Sequence, residues 1–233
     1  MVAPALKQMV RHIPGASVLY HNARALTCLL RECWFVDRRR MNDRSIATRE
    51  WDFETPSARE RHERVLAALA LSSGTQSWQQ VLEIGCADGV FTRLLAERCG
   101  SVTAVDISEV GRERTQERCA GRANVRVAAL DLQRDPLPGE FDVVFAMDVL
   151  EFIHGRSRVA DTARRLAAGI RPRGFLAISM SRLPEEMRGR LWARWLIEGG
   201  DNMSDFLDGR HGLRLLQRQC YPRYLIALYQ KTA

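Results

Sequence analysis

Hydrophobic positions along this chain fall into two regimes. In the first third they recur at helical spacing. Leu26, Leu29, Leu30, Cys33 and Trp34 follow i, i+3, i+4, i+7, i+8 and predict an amphipathic helix ending in the basic cluster before Met41. A polar connection, 42–51, leads to Pro56 and a second helical stripe ending in Val65, Leu66, Leu69 and Leu71. Ser72, Ser73 and Gly74 then break it. From Gln80 onward strand and helix alternate. Apolar runs at 81–84, 102–105, 125–130, 141–146 and 175–180 read as strands. Between them, Val90, Phe91, Leu94 and Leu95, the segment 108–120, and the face from Val159 through Leu166 to Ile170 read as helices. Strands apolar on both faces, alternating with helices, specify a parallel doubly wound α/β sheet. The last two strand-like runs, 213–220 and 224–229, are separated only by Tyr221, Pro222 and Arg223. No crossover helix fits there, so that pair is antiparallel.

Composition bounds this picture without changing it. The 233 residues are 46% hydrophobic and 27% charged, which suits a globular domain and excludes wholesale disorder. The organisation expected is an N-terminal helical extension or lid over 1–78 and an α/β core over 79–233, with an insertion at 182–212. No apolar run approaches the ~20 residues that a bilayer requires. Lys7, Arg11 and His12 interrupt any signal-like stretch, so a cytoplasmic protein with no membrane partner is expected. The net charge of +7 rests on 33 Arg against two Lys, a ratio that suggests coding bias. Five of the seven positive charges fall in residues 1–50, which hold nine basic and four acidic side chains. The triplet Arg38, Arg39 and Arg40 reads as a solvated basic helix end, in preference to an RNA-binding arm, and no nucleic-acid partner is expected. The six Cys form no Cys-x-x-Cys pair and no zinc spacing with His. They read as small apolar residues, not as a disulfide framework.

The chemistry concentrates after the first strand. Val81-Leu82-Glu83-Ile84-Gly85-Cys86-Ala87-Asp88-Gly89 is a strand, a glycine turn and a helix start. Gly85 permits the sharp turn, and Gly89 is expected to let a ligand approach the backbone. Asp106 ends the second strand 21 residues after Gly85, where a carboxylate can accept from two ribose hydroxyls. A dinucleotide fingerprint would need glycines at 87 and 90, which are Ala and Val, and no P-loop Gly-Lys-Ser/Thr follows. What remains is a nucleoside site without a phosphate cradle.

That combination resembles the class I S-adenosylmethionine-dependent methyltransferases. Their glycine motif matches 81–89 with Ala87 in place of the middle glycine. Their second-strand acid matches Asp106 before Ile107, their third-strand acid matches Asp131 before Leu132, and their fourth strand matches 141–146. The resemblance covers about 79–231. It implies a Rossmann-like, seven-stranded, mostly parallel sheet with an antiparallel C-terminal strand. It also implies S-adenosyl-L-methionine contacts at Glu83, Gly85, Cys86, Ala87, Gly89, Asp106, Ile107, Asp131, Leu132, Ala146 and Met147. The approach segment Trp51-Asp52-Phe53-Glu54-Thr55, followed by Arg61, His62, Glu63 and Arg64, is similar to that of the nodulation protein S group, which N-methylates an amino sugar on a chitooligosaccharide. The resemblance implies that Trp51 and Arg61 close over the cofactor, with Arg61 on the methionine carboxylate. His62 stands where that group has Tyr. The plainer reading of Arg61 is a solvated helix face.

Methyl transfer from a sulfonium is an in-line displacement governed by positioning, assisted by a base when the acceptor holds a proton. The place for that base is just past the fourth strand, in Met147-Asp148-Val149-Leu150-Glu151-Phe152-Ile153-His154. Asp148 and Glu151 are three apart on an expected helix turn, with Asp148 reading as a dipole-stabilised N-terminal carboxylate. Glu151 and His154 are the candidate general bases. Some quinone-pathway O-methyltransferases carry two Glu and a His here, binding metal. Phe152 takes the His place in this chain, so no metal is expected. This stretch is not the Asn-Pro-Pro-Tyr motif of many nucleic-acid N-methyltransferases. In the insertion, Trp192 and Trp195 suit stacking on a sugar or aromatic acceptor, or plain packing on the sheet, while Arg188, Arg190 and Arg194 suit an anionic acceptor or a solvated face. The reading is therefore a methyltransferase acting on N or O of a small molecule. An RNA or protein methyltransferase and a non-catalytic cofactor-binding scaffold are the competing classes, and oligomeric state is not specified.

Overall fold

Among the described residues, seven strands follow one another in a single sheet: β1 (Trp78–Ile84), β2 (Cys99–Asp106), β3 (Val125–Ala129), β4 (Phe141–Met147), β5 (Ile170–Ser181), β6 (Leu213–Cys220) and β7 (Tyr224–Lys231). The computed structural model describes residues 37–50, 53–188 and 190–233, so the helix expected near Leu26 to Trp34, with Cys28 and Cys33, lies outside the described residues. The order across the sheet is β3-β2-β1-β4-β5-β7-β6. β1 to β5 pair in parallel, and β7 runs antiparallel between β5 and β6. This is the mostly parallel, doubly wound Rossmann-like sheet that the sequence predicts. The antiparallel strand is inserted next to last and does not form the edge.

The helices are α1 (Arg38–Ala47), α2 (Pro56–Ser73), α3 (Val90–Ala96), α4 (Glu109–Arg118), α5 (Arg156–Ala168), α6 (Glu185–Arg188), α7 (Leu191–Leu196) and α8 (Gly199–Leu207). One face of the sheet, through Leu82, Ile84, Val144, Ala146 and Ile178, packs on Val159, Ala163 and Leu166 of α5 and on Met203 and Phe206 of α8. The other face, through Val81, Val102, Val143 and Phe145, packs on Val65, Leu66 and Leu69 of α2 and on Phe91 and Leu95 of α3. Burial on both faces is why these strands read as unbroken apolar runs. α2 belongs to this second core cluster, so the segment before β1 is built into the fold.

Three expectations about local structure need correction. Residues 42–47 are helical, not a polar connection, and the Arg triplet opens a helix instead of ending one. Asp37 caps α1 by accepting from the Arg40 N–H at 3.2 Å. The three arginines meet carboxylates: Arg38 at Asp131, Arg39 at Glu109, and Arg40 at Asp37. Ile170 begins β5, because Gly169 closes α5 by donating to the carbonyls of Arg165 and Leu166.

The order β3-β2-β1-β4 means that successive connections leave β1 in opposite directions. A crevice therefore opens at the carboxyl ends of β1 and β4, as sheets of this kind provide.

Candidate cofactor and acceptor site

A cleft of about 420 Å³ lies at that point. Gly85 and Ala87 form its floor. Asp106 and Ile107, Asp131 and Leu132, and Met147 to Val149 enter from the ends of β2, β3 and β4. α1 and α2 close it from above with Arg38, Asn42, Ile46, Arg61 and His62.

The glycine turn depends on backbone conformation. Gly85 has φ +79°, and a Cβ there would lie 2.4 Å from Cγ2 of Val149, in the turn after β4. Ala87 holds φ +48°, the left-handed region in which an alanine is strained, so the place where relatives carry glycine is one where glycine would fit more easily. Gly89 does another job from the one expected. It does not line the cleft, and a Cβ on it would meet the backbone of Thr115 at 2.9 Å. Its glycine lets α3 and α4 approach each other, not a ligand.

The strand-end acids are oriented by backbone donors. Asp106 is buried and accepts from the N–H of Ala87 at 2.9 Å and of Ser108 at 2.8 Å. Burial raises its pKa against those two hydrogen bonds. Asp131 accepts from the Gln133 N–H at 3.0 Å and from Arg38 at 3.3 Å. Glu83, Cys86 and Ala146, expected at the ligand, do not line the cleft. Glu83 points to the other face of β1, as strand alternation requires, where it is buried and accepts from Thr92 Oγ1 at 2.5 Å. Burial raises its pKa to about 8, so the side chain is largely neutral at pH 7.

The opposite wall was not legible as a unit. Thr55 caps α2, accepting from the Ala58 N–H at 3.2 Å, with Pro56 in the first turn. Two turns along, Arg61 forms an ion pair with Asp148, across 87 residues of sequence. The Arg61 guanidinium also lies 4.7 Å from the Tyr224 ring centre, and Tyr224 stacks on Tyr221 at 4.6 Å. Its Nε is buried and has no partner among the described residues. Asp148 is not on a helix turn. It has φ +56°, and its Oδ1 accepts from Ser179 Oγ at 3.0 Å, which aims the carboxylate at Arg61. His62 stacks on Phe91 at 4.5 Å, and burial with the neighbouring Arg61 charge lowers its pKa to about 4, so it is neutral.

The two candidate bases part company. Glu151, on the 3-10 turn Leu150–Phe152, lines the cleft and accepts from the Ser181 N–H at 3.3 Å. His154 does not line it. The imidazole Nδ1 sits 3.0 Å from Glu198 Oε1, joining this turn to the start of α8. Trp51 and the side chain of Trp192 lie outside the described residues. Trp195, on α7, is 63% exposed and does not line the cleft, against the expectation that it stacks on an acceptor. Arg188 is turned to the Leu183 carbonyl at 2.8 Å. The cleft also includes Arg38, Asn42, Ile46 and Phe53, none of which the sequence marks as a ligand contact. Among the described residues no group of three His, Cys, Asp or Glu side chains could hold a metal ion, and no helix is long and apolar enough to cross a membrane.

Comparison with known proteins agrees with this architecture. A solved N-methyltransferase NodS from Bradyrhizobium japonicum, in complex with S-adenosyl-L-homocysteine, superposes with a TM-score of 0.70 at 24% identity, covering 85% of this chain and all of that one. Nodulation protein S of Bradyrhizobium diazoefficiens is 27% identical over 132 residues, 57% of this chain and 62% of the relative. A ubiquinone biosynthesis O-methyltransferase of Pseudomonas aeruginosa is 30% identical over 104 residues, 43% of this chain and 44% of that one. The chain thus spans about three fifths of the length of the first of these curated relatives. The family model for nodulation protein S matches residues 37–192, two thirds of the sequence, from α1 through the glycine turn into the insertion. The chain belongs to the nodulation protein S family.

Proposed function

We propose that the cleft binds S-adenosyl-L-methionine and that the protein transfers its methyl group to a nitrogen or oxygen of a small-molecule acceptor. One observation carries the reading. Nucleoside-type acids at the ends of β2 and β3 and a cationic side chain on α2 face a single glycine-floored cleft at the sheet's switch point. The residues fit the cofactor. Asp106 and Asp131 would take the ribose and adenine, and the buried, unpartnered Nε of Arg61 offers a donor suited to a carboxylate. When bound, the cofactor supplies an electrophilic methyl on a sulfonium.

The work left to the chain is positioning. Gly85 leaves room at the floor, and Ser179 fixes the direction of Asp148. Glu151, past the end of β4, lines the cleft and would take an acceptor proton, whereas His154 lies outside it and pairs with Glu198. α1 and α2 close the cleft from above, with Arg38, Asn42 and Ile46 on one helix and Arg61 and His62 on the other. The solved relative is an N-methyltransferase, which favours an amine, and the sequence resemblance makes an amino sugar the first acceptor to try. The deciding experiment incubates the protein with methyl-labelled S-adenosylmethionine and a panel of amino sugars, phenols and amines, read by product mass. Labelled product that Glu151→Gln suppresses supports the assignment, and cofactor binding without transfer to any of the three acceptor classes would contradict it.

A further inference from the structure

We infer that Asn42 is a direct contact to the nucleoside of the bound cofactor, an acceptor supplied by α1 in addition to the strand-end acids. This rests on the cleft being an S-adenosylmethionine site. Asn42 lies one turn after Arg38 and one turn before Ile46, so all three share the face of α1 that lines the cleft. The two neighbours fix where that face sits. Arg38 reaches Asp131 at the end of β3, and Ile46 packs against Gly111, next to the carbonyl of Ala87 in the glycine turn. Asn42 therefore sits between the third-strand acid and the turn, over the nucleoside end and on a different helix from Arg61.

Its Oδ1 is buried and has no hydrogen-bond partner among the described residues. A buried amide oxygen left unpaired is costly, and the cost is recovered when a ligand brings a donor to it. The adenosine amine and ribose hydroxyls are such donors. Asp131, which the family resemblance assigns to adenine, already accepts from Gln133 and Arg38 and lies 3.6 Å from Arg134. Asn42 Oδ1 adds to it a buried acceptor that no donor among the described residues fills. α1 does not depend on Asn42 for its own placement, because Asp43 accepts from Ser108 Oγ at 2.6 Å and from the Val110 N–H at 3.3 Å.

The test is calorimetric titration with S-adenosylhomocysteine and with methylthioadenosine, which keeps the nucleoside and lacks the amino-acid carboxylate. Asn42→Leu keeps the branched shape and removes the acceptor. It should weaken both ligands about tenfold, the worth of one buried hydrogen bond. Asn42→Asp keeps an oxygen and should hold both within about threefold. Asn42→Ala gives the same reading as Leu if the larger side chain impairs folding. Unchanged affinities in the Leu and Ala variants, or a loss for S-adenosylhomocysteine alone, overturn the inference while leaving the cofactor site intact. If the wild-type protein binds neither ligand, the cofactor reading fails and the inference goes with it.

Discussion

The two ends of the cleft are built in different ways. At the nucleoside end, the acids close consecutive strands of one sheet, and backbone N–H groups of Ala87, Ser108 and Gln133 hold them in place. Their geometry follows from strand register and is local. At the other end, Arg61 of α2, Asp148 after β4, Ser179 of β5 and Tyr224 of β7 meet from four separate parts of the chain. Their geometry exists only once the whole sheet has formed. A site made of strand ends is rigid and anonymous, shared by many chemistries. A wall assembled from long-range contacts is where one member of the fold can differ from another.

Substitutions can break this contrast, and the largest effect is expected at the floor. Gly85→Val places a β-branched side chain on a backbone at φ +79° and drives it into Val149. Binding of S-adenosylhomocysteine should be lost and the melting midpoint should fall. A folded variant that still binds would mean the turn does not form the floor. Next in size is chemistry at the turn after β4. Glu151→Gln should slow single-turnover methyl transfer ~10²–10⁴-fold at saturating cofactor, as loss of a general base does. His154→Ala should leave that rate within about twofold, since the imidazole faces Glu198. A large effect at His154 and none at Glu151 would reverse the assignment.

Cofactor affinity separates the two ends directly. Arg61→Ala should weaken S-adenosylhomocysteine by about 1.5–3 kcal/mol and leave methylthioadenosine unaffected, because only the former carries a carboxylate. Asp106→Ala should weaken both by about 1–3 kcal/mol, and it should also lower stability by stranding the Ala87 and Ser108 N–H groups. Equal losses of both ligands in the Arg61 variant would dissolve the distinction.

A smaller effect lies beneath the floor, in stability versus pH. Burial raises Glu83 to about 8, so between about pH 4.5 and 8 the folded state holds a proton that the unfolded state has lost. Stability from this group is therefore complete at low pH and falls as pH rises toward 8. His62, lowered to about 4 by burial and by Arg61, has the opposite slope between its ordinary 6.5 and 4. The Glu83 contribution stands clear of it only above pH 6.5. Melting midpoints should fall from pH 6.5 to 8 in the wild type and stay level in Glu83→Gln. Parallel curves would show that Glu83 is not the group titrating. The smallest effect is expected at Trp195→Ala, which should shift cofactor affinity less than twofold, because that ring is exposed away from the cleft.

What the sequence disclosed follows the same division. Asp106 and Asp131 were legible because strand ends are marked by the change from apolar run to acid, and register brings them to one edge. Gly85 was legible as a turn. Gly89 was misread because its constraint comes from Thr115 on another helix, which spacing does not encode. Residues 42–47 of α1 were taken for a connection because the helix's only buried apolar residue is Ile46, so it has little periodicity to detect. Asp37, three residues before Arg40, was the available cue. The Arg61–Asp148 pair left no local trace. Arg61 was read as a partner of the cofactor carboxylate or a solvated helix face, and Asp148 as a helix N-terminal carboxylate; the strained backbone at Asp148, its bond from Ser179 and the ring of Tyr224 give the pair its position.

The central claim is that the cleft at the carboxyl ends of β1 to β4 is a cofactor site. Isothermal titration of the wild-type protein with S-adenosylhomocysteine tests it most directly. The account predicts saturable binding at one site per chain, abolished in Gly85→Val and weakened in Asp106→Ala. Absence of binding by a folded wild-type protein, or binding that both variants retain at full strength, would contradict it.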